Sequence, residues 1–272
     1  MPSGIFDVRA RVIANRRLSS DYNVLALAAP TIAARAAPGQ FVMLKAGSTY
    51  DPLLRRPFSI FEILRDRHGT PSGLSVLSKR IGASTRLFYD AEPGQTVATL
   101  GPLGRPFMVV DRPTEAWMVA GGVGLAPFAT LAETLRSHGV GCTLFYGARR
   151  ATELFHLDFF RALGVDLVLS TEDGSFGERG HVVAPLERAL LSRSPASRLM
   201  VYACGPERML AATARATAKH ERPCQVSVER IMGCGLGGCY SCVVPMRHDH
   251  GVHHVRSCLS GPVLQADQIV WD

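Results

Sequence analysis

The sequence predicts a multidomain protein of the β + α/β class, with an N-terminal antiparallel β-barrel, a central parallel-sheet α/β domain and a small C-terminal cysteine-rich unit. Three changes of pattern along the 272 residues predict this order. Short alternating segments with proline and glycine turns come first and are typical of a small barrel. Short apolar strands that alternate with helical stretches follow, and then a glycine- and cysteine-rich tail. We therefore place the domains at residues 1–108, 109–222 and 223–272.

Three predicted strands define the barrel, at residues 8–12, 22–27 and 41–44. Apolar and polar residues alternate in these segments, and a period of two directs one face of a strand towards a core and the other towards solvent. Pairs of proline and glycine mark the turns, at residues 38–39, 93–94 and 101–102. Closely spaced strands with such turns suggest a small barrel.

Apolar strands and helical stretches alternate in the central domain. The strands are predicted at residues 117–120, 143–146, 167–170 and 199–202. A helical pattern runs through Leu131, Leu135 and Arg136. A later helix is predicted to have Pro206 at its first position and Glu207 in its first turn, and both residue types are favourable there. This alternation implies βαβ units and a parallel sheet.

A glycine-rich turn joins the first strand of the central domain to the helix after it. Gly121, Gly122 and Gly124 occupy this turn. Glycines let backbone amides approach a pyrophosphate closely, and the N-terminus of the following helix favours negative charge. The spacing departs from the common G-x-G-x-x-G pattern, and tight packing is the alternative explanation. The turn is a candidate phosphate-binding segment.

Two segments of the barrel domain also offer groups for phosphate. The first is the run from Arg55 to Ile60, which includes Arg56 and Ser59, at the end of a predicted strand. An arginine beside a hydroxyl is suited to pairing with phosphate oxygens and to hydrogen-bonding the edge of an isoalloxazine ring. The alternative is a surface arginine pair, Arg55 and Arg56. The second segment, residues 79–87, combines a strand end with a hydroxyl-capped helix start, whose amides suit a pyrophosphate.

Four cysteines near the C-terminus have the spacing C-x4-C-x2-C-x15-C. They are Cys234, Cys239, Cys242 and Cys258. Three thiolates on one glycine-rich loop, with a distant fourth, form the plant-type arrangement for a [2Fe–2S] cluster. Glycines suit such a loop because it needs positive φ angles and inward-pointing N–H groups.

Other roles for these cysteines stay open. Disulfides are rare inside cells, and the sequence shows no charged-then-apolar leader, so we expect a cytoplasmic protein. A structural zinc site is the stronger alternative, because Cys239 and Cys242 could begin one. Four histidines could take part in it, although they fit a polar hairpin tip: His248, His250, His253 and His254. Buried core thiols are the third reading.

Composition argues against two classes of function. The formal charge is +7, but the basic residues are scattered and mostly arginine, without a basic block among aromatics. We therefore expect no nucleic-acid partner. Apolar residues make up 47% of the chain, enough for a sizeable core. No uninterrupted apolar run approaches the roughly 18 residues of a membrane span, so we expect none.

Taken together and in this order, these segments resemble the ferredoxin–NADP reductase superfamily. The barrel with Arg56 to Ser59 resembles its FAD domain, and the sheet with Gly121 to Pro127 and Cys204 to Pro206 resembles its pyridine-nucleotide domain. Residues 258–264 are similar to the tail of electron-transfer subunits of NAD-dependent dihydroorotate dehydrogenases, as are residues 171–177 and 229–235. The resemblance spans essentially the whole chain.

The resemblance implies three cofactors, which are FAD, a [2Fe–2S] cluster and NAD(H). It implies that FAD contacts a set of barrel-domain residues: Arg56, Pro57, Phe58, Ser59, Leu77, Ser78, Lys79, Ser84 and Thr85. It implies that NAD(H) meets a set in the central domain: Gly121, Gly122, Gly124, Cys204, Gly205 and Pro206. The four cysteines would hold the cluster. No catalytic side chain is implied, because hydride transfer between nicotinamide and flavin needs no acid or base from the protein.

The resemblance further implies an NAD(P)H-linked oxidoreductase that converts between two-electron and one-electron carriers. Its partner would be the FMN-containing catalytic subunit of dihydroorotate dehydrogenase, in pyrimidine biosynthesis and in a two-fold assembly of heterodimers. Alternatives are a related FAD/[2Fe–2S] subunit of a sulfide dehydrogenase, a hydrogenase or a ferredoxin–NADP oxidoreductase, and an oxygenase reductase. A non-enzymatic, zinc-stapled binding module is a further alternative. The choice between NAD and NADP stays open.

Overall fold

The computed structural model describes residues 4–47, 51–249 and 251–271. Within these ranges the strands form two seven-stranded sheets and one two-stranded hairpin. His250, one of the histidines considered as a zinc ligand, lies outside the described residues.

The N-terminal half of the fold is one antiparallel sheet. Its strands are β1 Phe6–Arg17, β2 Tyr22–Ala28, β3 Phe41–Ala46, β4 Arg56–Ser59, β5 Glu62–Arg65, β6 Pro71–Lys79 and β7 Thr96–Leu103, with helices α1 Pro30–Ala33 and α2 Ala83–Asp90. The strand order is β4-β3-β7-β1-β2-β6-β5. The sheet curls into a half-barrel, which confirms the antiparallel barrel class that the alternating segments predict.

The remaining strands build the second sheet and the hairpin. They are β8 Glu115–Gly121, β9 Cys142–Ala148, β10 Asp166–Thr171, β11 Glu178–Arg179, β12 Leu199–Cys204, β13 Cys224–Ser227, β14 Val243–His248, β15 Gly251–Arg256 and β16 Val263–Gln265. The helices are α3 Ala126–Ser137, α4 Leu157–Ala162, α5 Val183–Ser192, α6 Glu207–Lys219 and α7 Ser257–Ser260, with 3₁₀ turns at Gly122–Leu125 and Ala151–Glu153.

The second sheet has the order β11-β10-β9-β8-β12-β13-β16. Its pairs are parallel from β11 to β13, as βαβ connections require, and this confirms the parallel α/β domain. Only the last pair, β13 with β16, is antiparallel. The segment after residue 222 therefore returns two strands to this sheet, and the domain limits 1–108, 109–222 and 223–272 stay a prediction.

The prediction for the start of α6 is off by one residue. The helix begins at Glu207, and Pro206 precedes it as the N-cap residue with ψ 141°. An extended ψ at Pro206 turns the chain out of β12 before the helix can begin. Glu207 does lie in the first turn, where the helix dipole favours its charge.

The half-barrel and the α/β domain share one hydrophobic core. Helix α3 lies in it, and its Phe128 stacks on Phe107 of the connecting segment at 5.9 Å between ring centroids. Val24, Phe61 and Leu77 of the half-barrel belong to the same buried cluster. Each such side chain contributes about 1.5–3 kcal/mol when fully buried, so the two domains are packed firmly against each other.

The cysteine-rich unit is a hairpin framed by loops. Strands β14 and β15 pair antiparallel from Val243–Arg256 to His248–Gly251, which confirms the predicted hairpin. In the described parts of the chain, no helix combines the length and apolar character needed to cross a membrane.

Candidate functional site

A cavity of about 650 Å³ lies between the half-barrel, the α/β domain and the cysteine-rich unit. Its volume is within the range of roughly 300–1,000 Å³ that small-molecule and cofactor sites occupy. It brings together nine of the fifteen residues that the sequence singles out for FAD and NAD(H): Arg56, Pro57, Phe58, Ser59, Leu77, Lys79, Ser84, Thr85 and Cys204. These residues come from β4, β6, α2 and the end of β12.

Several predicted site residues do not line this cavity. Ser78 is 1% exposed and lies between Leu77 and Lys79, so the alternation of a strand directs it to the other face of the sheet. The glycine turn meets the cavity through Val123 and Ala126. The lining does not include Gly121, Gly122, Gly124, Gly205 or Pro206. Gly205 borders a smaller cavity of about 230 Å³ instead.

The two neighbouring arginines of the barrel have different environments. Arg55 pairs with Asp7, and its Nη2 lies 2.9 Å from both carboxylate oxygens. Arg56 is half-buried, and its Nη1 donates to the carbonyls of Leu54 and Arg55 at 3.0 and 3.1 Å. Arg56 lines the cavity and Arg55 does not. Of these two arginines, Arg56 is therefore the one placed to meet a ligand there.

Helix α2 presents its N-terminus to the cavity. Thr85 Oγ1 accepts hydrogen bonds from the amides of Ile81 and Gly82, both at 2.9 Å, and so caps the helix from inside. The hydroxyl of Ser84 is buried and has no hydrogen-bond partner among the described residues. The first amides of a helix lack partners within it, so this end offers donors and positive potential to a ligand.

Two asparagines, the half-buried Asn15 and the buried Asn23, hold the other end of α2. Asn15 Nδ2 lies within 2.8–3.0 Å of the carbonyls of Phe88, Tyr89 and Ala91. Asn23 is fully buried, and its Nδ2 donates to Asn15 Oδ1 at 2.7 Å. The final carbonyls of a helix need such donors. The pair therefore fixes the helix whose opposite end faces the cavity.

The glycine turn has a packing reason as well as a binding reason. A Cβ atom on Gly124 would lie 2.2 Å from the carbonyl oxygen of Cys204, so no side chain fits between the turn and the end of β12. Gly122 has φ +56° and open space within 4 Å of its Cβ position. The turn thus combines the tight packing that we considered as the alternative with one open glycine that a ligand could approach.

Cys204 is a buried thiol at the cavity, and Glu229, an exposed residue, lies near enough to act on it by charge. Burial raises the pKa of the Cys204 thiol well above its usual value, and the neighbouring charge of Glu229 adds to the effect. Partial desolvation by the surrounding protein raises the pKa of the Glu229 carboxyl. A thiol kept neutral is a poor nucleophile, so Cys204 serves as a packing surface.

The cavity also has a wall that the sequence predictions missed. Ser227, the last residue of β13, and the five residues after it line the cavity, as does Phe41 of β3. Phe41 and Met232 also belong to one apolar cluster with Cys242 and Cys258. The cavity and the cysteines therefore share an apolar wall. Two signals in the sequence point to this segment: the family resemblance of residues 229–235, and its position between the last parallel strand and the first of the four cysteines.

The four cysteines lie on the loop after this wall and at the start of α7. Cys242 and Cys258 are buried, Cys234 is half-buried and Cys239 is exposed. The loop between the first two contains Gly235 and Gly237 with φ of +71° and +81°, as the glycine-rich spacing predicts. The backbone amide of Leu236 donates to Cys234 Sγ at 3.4 Å.

The pKa values of these thiols show that they influence one another. Hydrogen bonds from Ser241, whose Oγ lies 3.1 Å from Cys239 Sγ, and from Cys234 lower the pKa of Cys239 to about 6. Burial raises the pKa of Cys258 to about 12, with further contributions from Cys242 and Cys234. Cys239 therefore ionises far more readily than Cys258.

The described histidines of the hairpin lie on strands β14 and β15 and not on the cysteine loop. His248 pairs with Gly251 next to the hairpin end, and the rings of His248 and His253 meet edge to face at 5.2 Å. His253 and His254 are exposed. Across residues 4–47, 51–249 and 251–271, no three His, Cys, Asp or Glu side chains are grouped as they would be around one metal ion.

Two protein-family models match the chain. The iron–sulfur cluster binding domain of dihydroorotate dehydrogenase B matches residues 229–270, which include all four cysteines. The oxidoreductase NAD-binding domain matches residues 118–215, which include the glycine turn and the end of β12.

Relatives match over the whole length. The chain is 35% identical over 271 residues to the dihydroorotate dehydrogenase B (NAD(+)) electron transfer subunit of Desulforamulus reducens, covering 99% of this chain and 100% of that protein. It is 33% identical to the subunit of the same name from Geobacillus kaustophilus, covering 96% and 98%. A solved NADH-dependent reduced ferredoxin–NADP oxidoreductase, described for flavin-based electron bifurcation, has a TM-score of 0.84 at 24% identity, covering 97% and 91%. Its likeness confirms the fold.

Proposed function

The chain belongs to the electron-transfer subunits of dihydroorotate dehydrogenase B, and from this premise we propose how its parts perform that role. It is an NAD(P)H-linked oxidoreductase subunit of pyrimidine biosynthesis. Electrons pass between a catalytic subunit and NAD+ by way of FAD in the 650 Å³ cavity and a [2Fe–2S] cluster on the four cysteines. The observation that carries this assignment is the apolar wall that the cavity and the cysteines share.

FAD fits the cavity by chemistry as well as by volume. The buried Ser84 hydroxyl lacks a partner in the described part of the chain, and an unsatisfied buried polar group costs about 1–3 kcal/mol. A pyrophosphate at the start of α2 would satisfy this hydroxyl and the free amides of the helix. Arg56 would pair with phosphate or the flavin edge, while Pro57 to Ser59 and Leu77 to Lys79 would flank the ring.

NAD(H) would bind at the carboxyl ends of β8 and β12. In parallel α/β sheets ligands occupy the crevice at these ends. Gly121 to Gly124 and Cys204 to Pro206 lie there, and Val123, Ala126 and Cys204 reach the cavity. A nicotinamide entering from this side would therefore face the flavin.

The cluster would be held by Cys234, Cys239, Cys242 and Cys258. All four donors are thiols, the ligand type of plant-type [2Fe–2S] centres. The amide of Leu236 and the hydroxyl of Ser241 already lie within hydrogen-bonding distance of two of the sulfur atoms. Such hydrogen bonds tune the reduction potential of a cluster. A [2Fe–2S] cluster takes two protein ligands at each of its two irons, so it does not require three such side chains around one ion, and the donor set fits the group.

The protein itself positions the cofactors relative to one another and excludes water from the space between them. When bound, the flavin provides exchange between two-electron and one-electron transfer, and the cluster provides a one-electron relay. The Cys204 thiol stays protonated, packs against the position where the nicotinamide would lie, and takes no part in proton transfer. Phe41 and Met232 keep water out of the wall between cavity and cysteines. No side chain needs to act as acid or base at the reacting atoms.

The catalytic subunit would dock beside the cysteine loop. Exposed apolar side chains surround that loop: Ile231, Leu236, Tyr240 and Leu259. Apolar patches of this kind mark sites of protein association. We infer an FMN-containing catalytic subunit as the partner, in a cytoplasmic assembly of two copies of each chain.

The test is electron transfer with the isolated partner. The chain and the dihydroorotate dehydrogenase catalytic subunit are purified separately, and NAD+ reduction is followed with dihydroorotate as donor. We expect reduction only when both are present, and a single complex of both chains by light scattering. Equal NAD+ reduction by the catalytic subunit alone would contradict the assignment, as would no reduction with both.

A further inference from the structure

Glu62 of the half-barrel and His156 of the α/β domain face each other across the domain boundary, and they form an ion pair when the imidazole is protonated. His156 Nε2 lies 3.1 Å from Glu62 Oε1, and the side chains are 13% and 25% exposed. Ser75 Oγ donates to the other carboxylate oxygen at 2.7 Å. The contact with His156 is not aligned as a good hydrogen bond, so its strength comes from charge when the imidazole is protonated.

Aromatic rings from both domains pack against the imidazole. Its centroid lies 4.5 Å from that of Phe159, with the rings stacked at 29°, and 4.7 Å from that of Phe61, with the rings tilted by 52°. Phe61 belongs to the half-barrel side and is 1% exposed. His156 also has φ 62°, in the left-handed region that non-glycine residues seldom adopt. Such a backbone persists only where its surroundings fix it, so the cross-domain contacts determine this residue's position.

Both partners are connected to the cofactor-binding segments. Glu62 starts β5, three residues after Ser59, which lines the cavity. On the same boundary, Tyr22 donates to Glu153 Oε2 at 3.3 Å and carries the Lys79 ammonium 5.0 Å above its ring. Residues 153–156 thus join the α/β domain to the flavin side of the half-barrel at two points.

We propose that the Glu62–His156 pair is a positioning element for hydride transfer: it sets the orientation of the nicotinamide-binding domain against the half-barrel. Neither residue lines the cavity, so both act through the domains that they hold. This inference rests on the proposed function, because it concerns how nicotinamide and flavin meet. Reacting atoms must approach within about 3–3.5 Å, and a misplacement of about 1 Å can cost about 10²-fold in rate.

Other charged groups face the pair from neighbouring elements. Glu133 of α3 and Arg65 of β5 lie near enough to influence the charge of this cluster, and so does Arg16 of β1 on the Glu62 side. They are left unchanged in the variants, so a change in rate can be assigned to the pair itself.

The test uses the full chain, purified with FAD, in three variants. E62Q keeps the shape of the side chain and an acceptor for Ser75 but removes the charge, and S75A loosens the carboxylate without touching His156. The matched control is D111N, because Asp111 pairs with His138 at 2.8 Å on an exposed surface. Measurements are the limiting rate of flavin bleaching by NADH, the NADH dissociation constant, the FAD content, and hydrogen exchange of residues 153–160.

We expect E62Q to lower the limiting rate by roughly 10- to 100-fold, with NADH and FAD binding unchanged and faster exchange at residues 153–160. S75A should lower it less, and D111N should not change it. Bleaching of E62Q at the wild-type rate would overturn the inference, as would a loss of rate that follows only the loss of FAD. A wild-type chain whose bound flavin NADH cannot reduce would contradict the proposed function, and the inference with it.

Discussion

Alanine at Ser84 separates an effect on cofactor binding from an effect on folding. The Ser84 hydroxyl is buried against the cavity and has no partner within the residues that the structure describes. Its removal takes no hydrogen bond from the flavin-free chain, so the unfolding temperature should be unchanged or slightly higher. A hydrogen bond to a charged group contributes about 1.5–3 kcal/mol. The FAD dissociation constant of S84A should therefore rise by roughly 10- to 160-fold.

The neighbouring Thr85 provides the matched comparison. Its hydroxyl accepts two backbone amides at 2.9 Å, and loss of a helix cap costs about 0.5–2 kcal/mol. T85A should therefore unfold at a lower temperature even without FAD. The assay is FAD fluorescence quenching together with thermal unfolding of flavin-free and flavin-loaded chain. If S84A destabilised the flavin-free chain and bound FAD normally, the assignment of the pyrophosphate to this helix end would be wrong.

Three further results are expected. C239S should leave flavin reduction by NADH intact and abolish dihydroorotate-dependent NAD+ reduction with the catalytic subunit, and retained turnover without a cluster would refute the relay. G124A should lower the free energy of unfolding by about 1–3 kcal/mol, because its Cβ would lie 2.2 Å from a backbone oxygen of Cys204; denaturation at the wild-type midpoint would contradict this. Burial opposes ionisation of Glu62, but its polar contacts outweigh burial and hold its pKa below the usual 4.5. The ionised Glu62 carboxylate therefore stabilises the fold above pH 4.5, and this contribution is lost as pH falls through the lowered pKa. On acidification the unfolding temperature of E62Q should fall less than that of the wild type. An equal fall in both proteins would argue against the ionised pair.

The sequence predicts the parts of the site whose chemistry is local. Arginine, hydroxyl and helix-start residues stand next to one another in the chain, which indicates Arg56 to Ser59, Ser84 and Thr85, and these residues line one cavity. The cluster cysteines were identified by spacing alone, and the family model covers them. The two sheets followed from the change of period between the halves.

The sequence does not predict contacts between distant segments. Nothing near Phe41 indicates that it meets Met232 beside the cysteines, because that contact depends on how β3 packs against the loop after β13. The Glu62–His156 pair is hidden for the same reason. At Gly124 the sequence does not distinguish two reasons for a glycine, close packing and phosphate binding. The structure shows that close packing of the turn against β12 requires it.

The most direct test of the electron path is anaerobic titration of the purified chain with NADH, followed by visible absorbance and electron paramagnetic resonance. We expect the flavin band to bleach and a reduced [2Fe–2S] signal to appear with it. Zinc or no metal on the four cysteines would contradict the electron path. Bleaching of the flavin without an electron paramagnetic resonance signal from a cluster that is present would contradict the shared wall as the route between cavity and cluster.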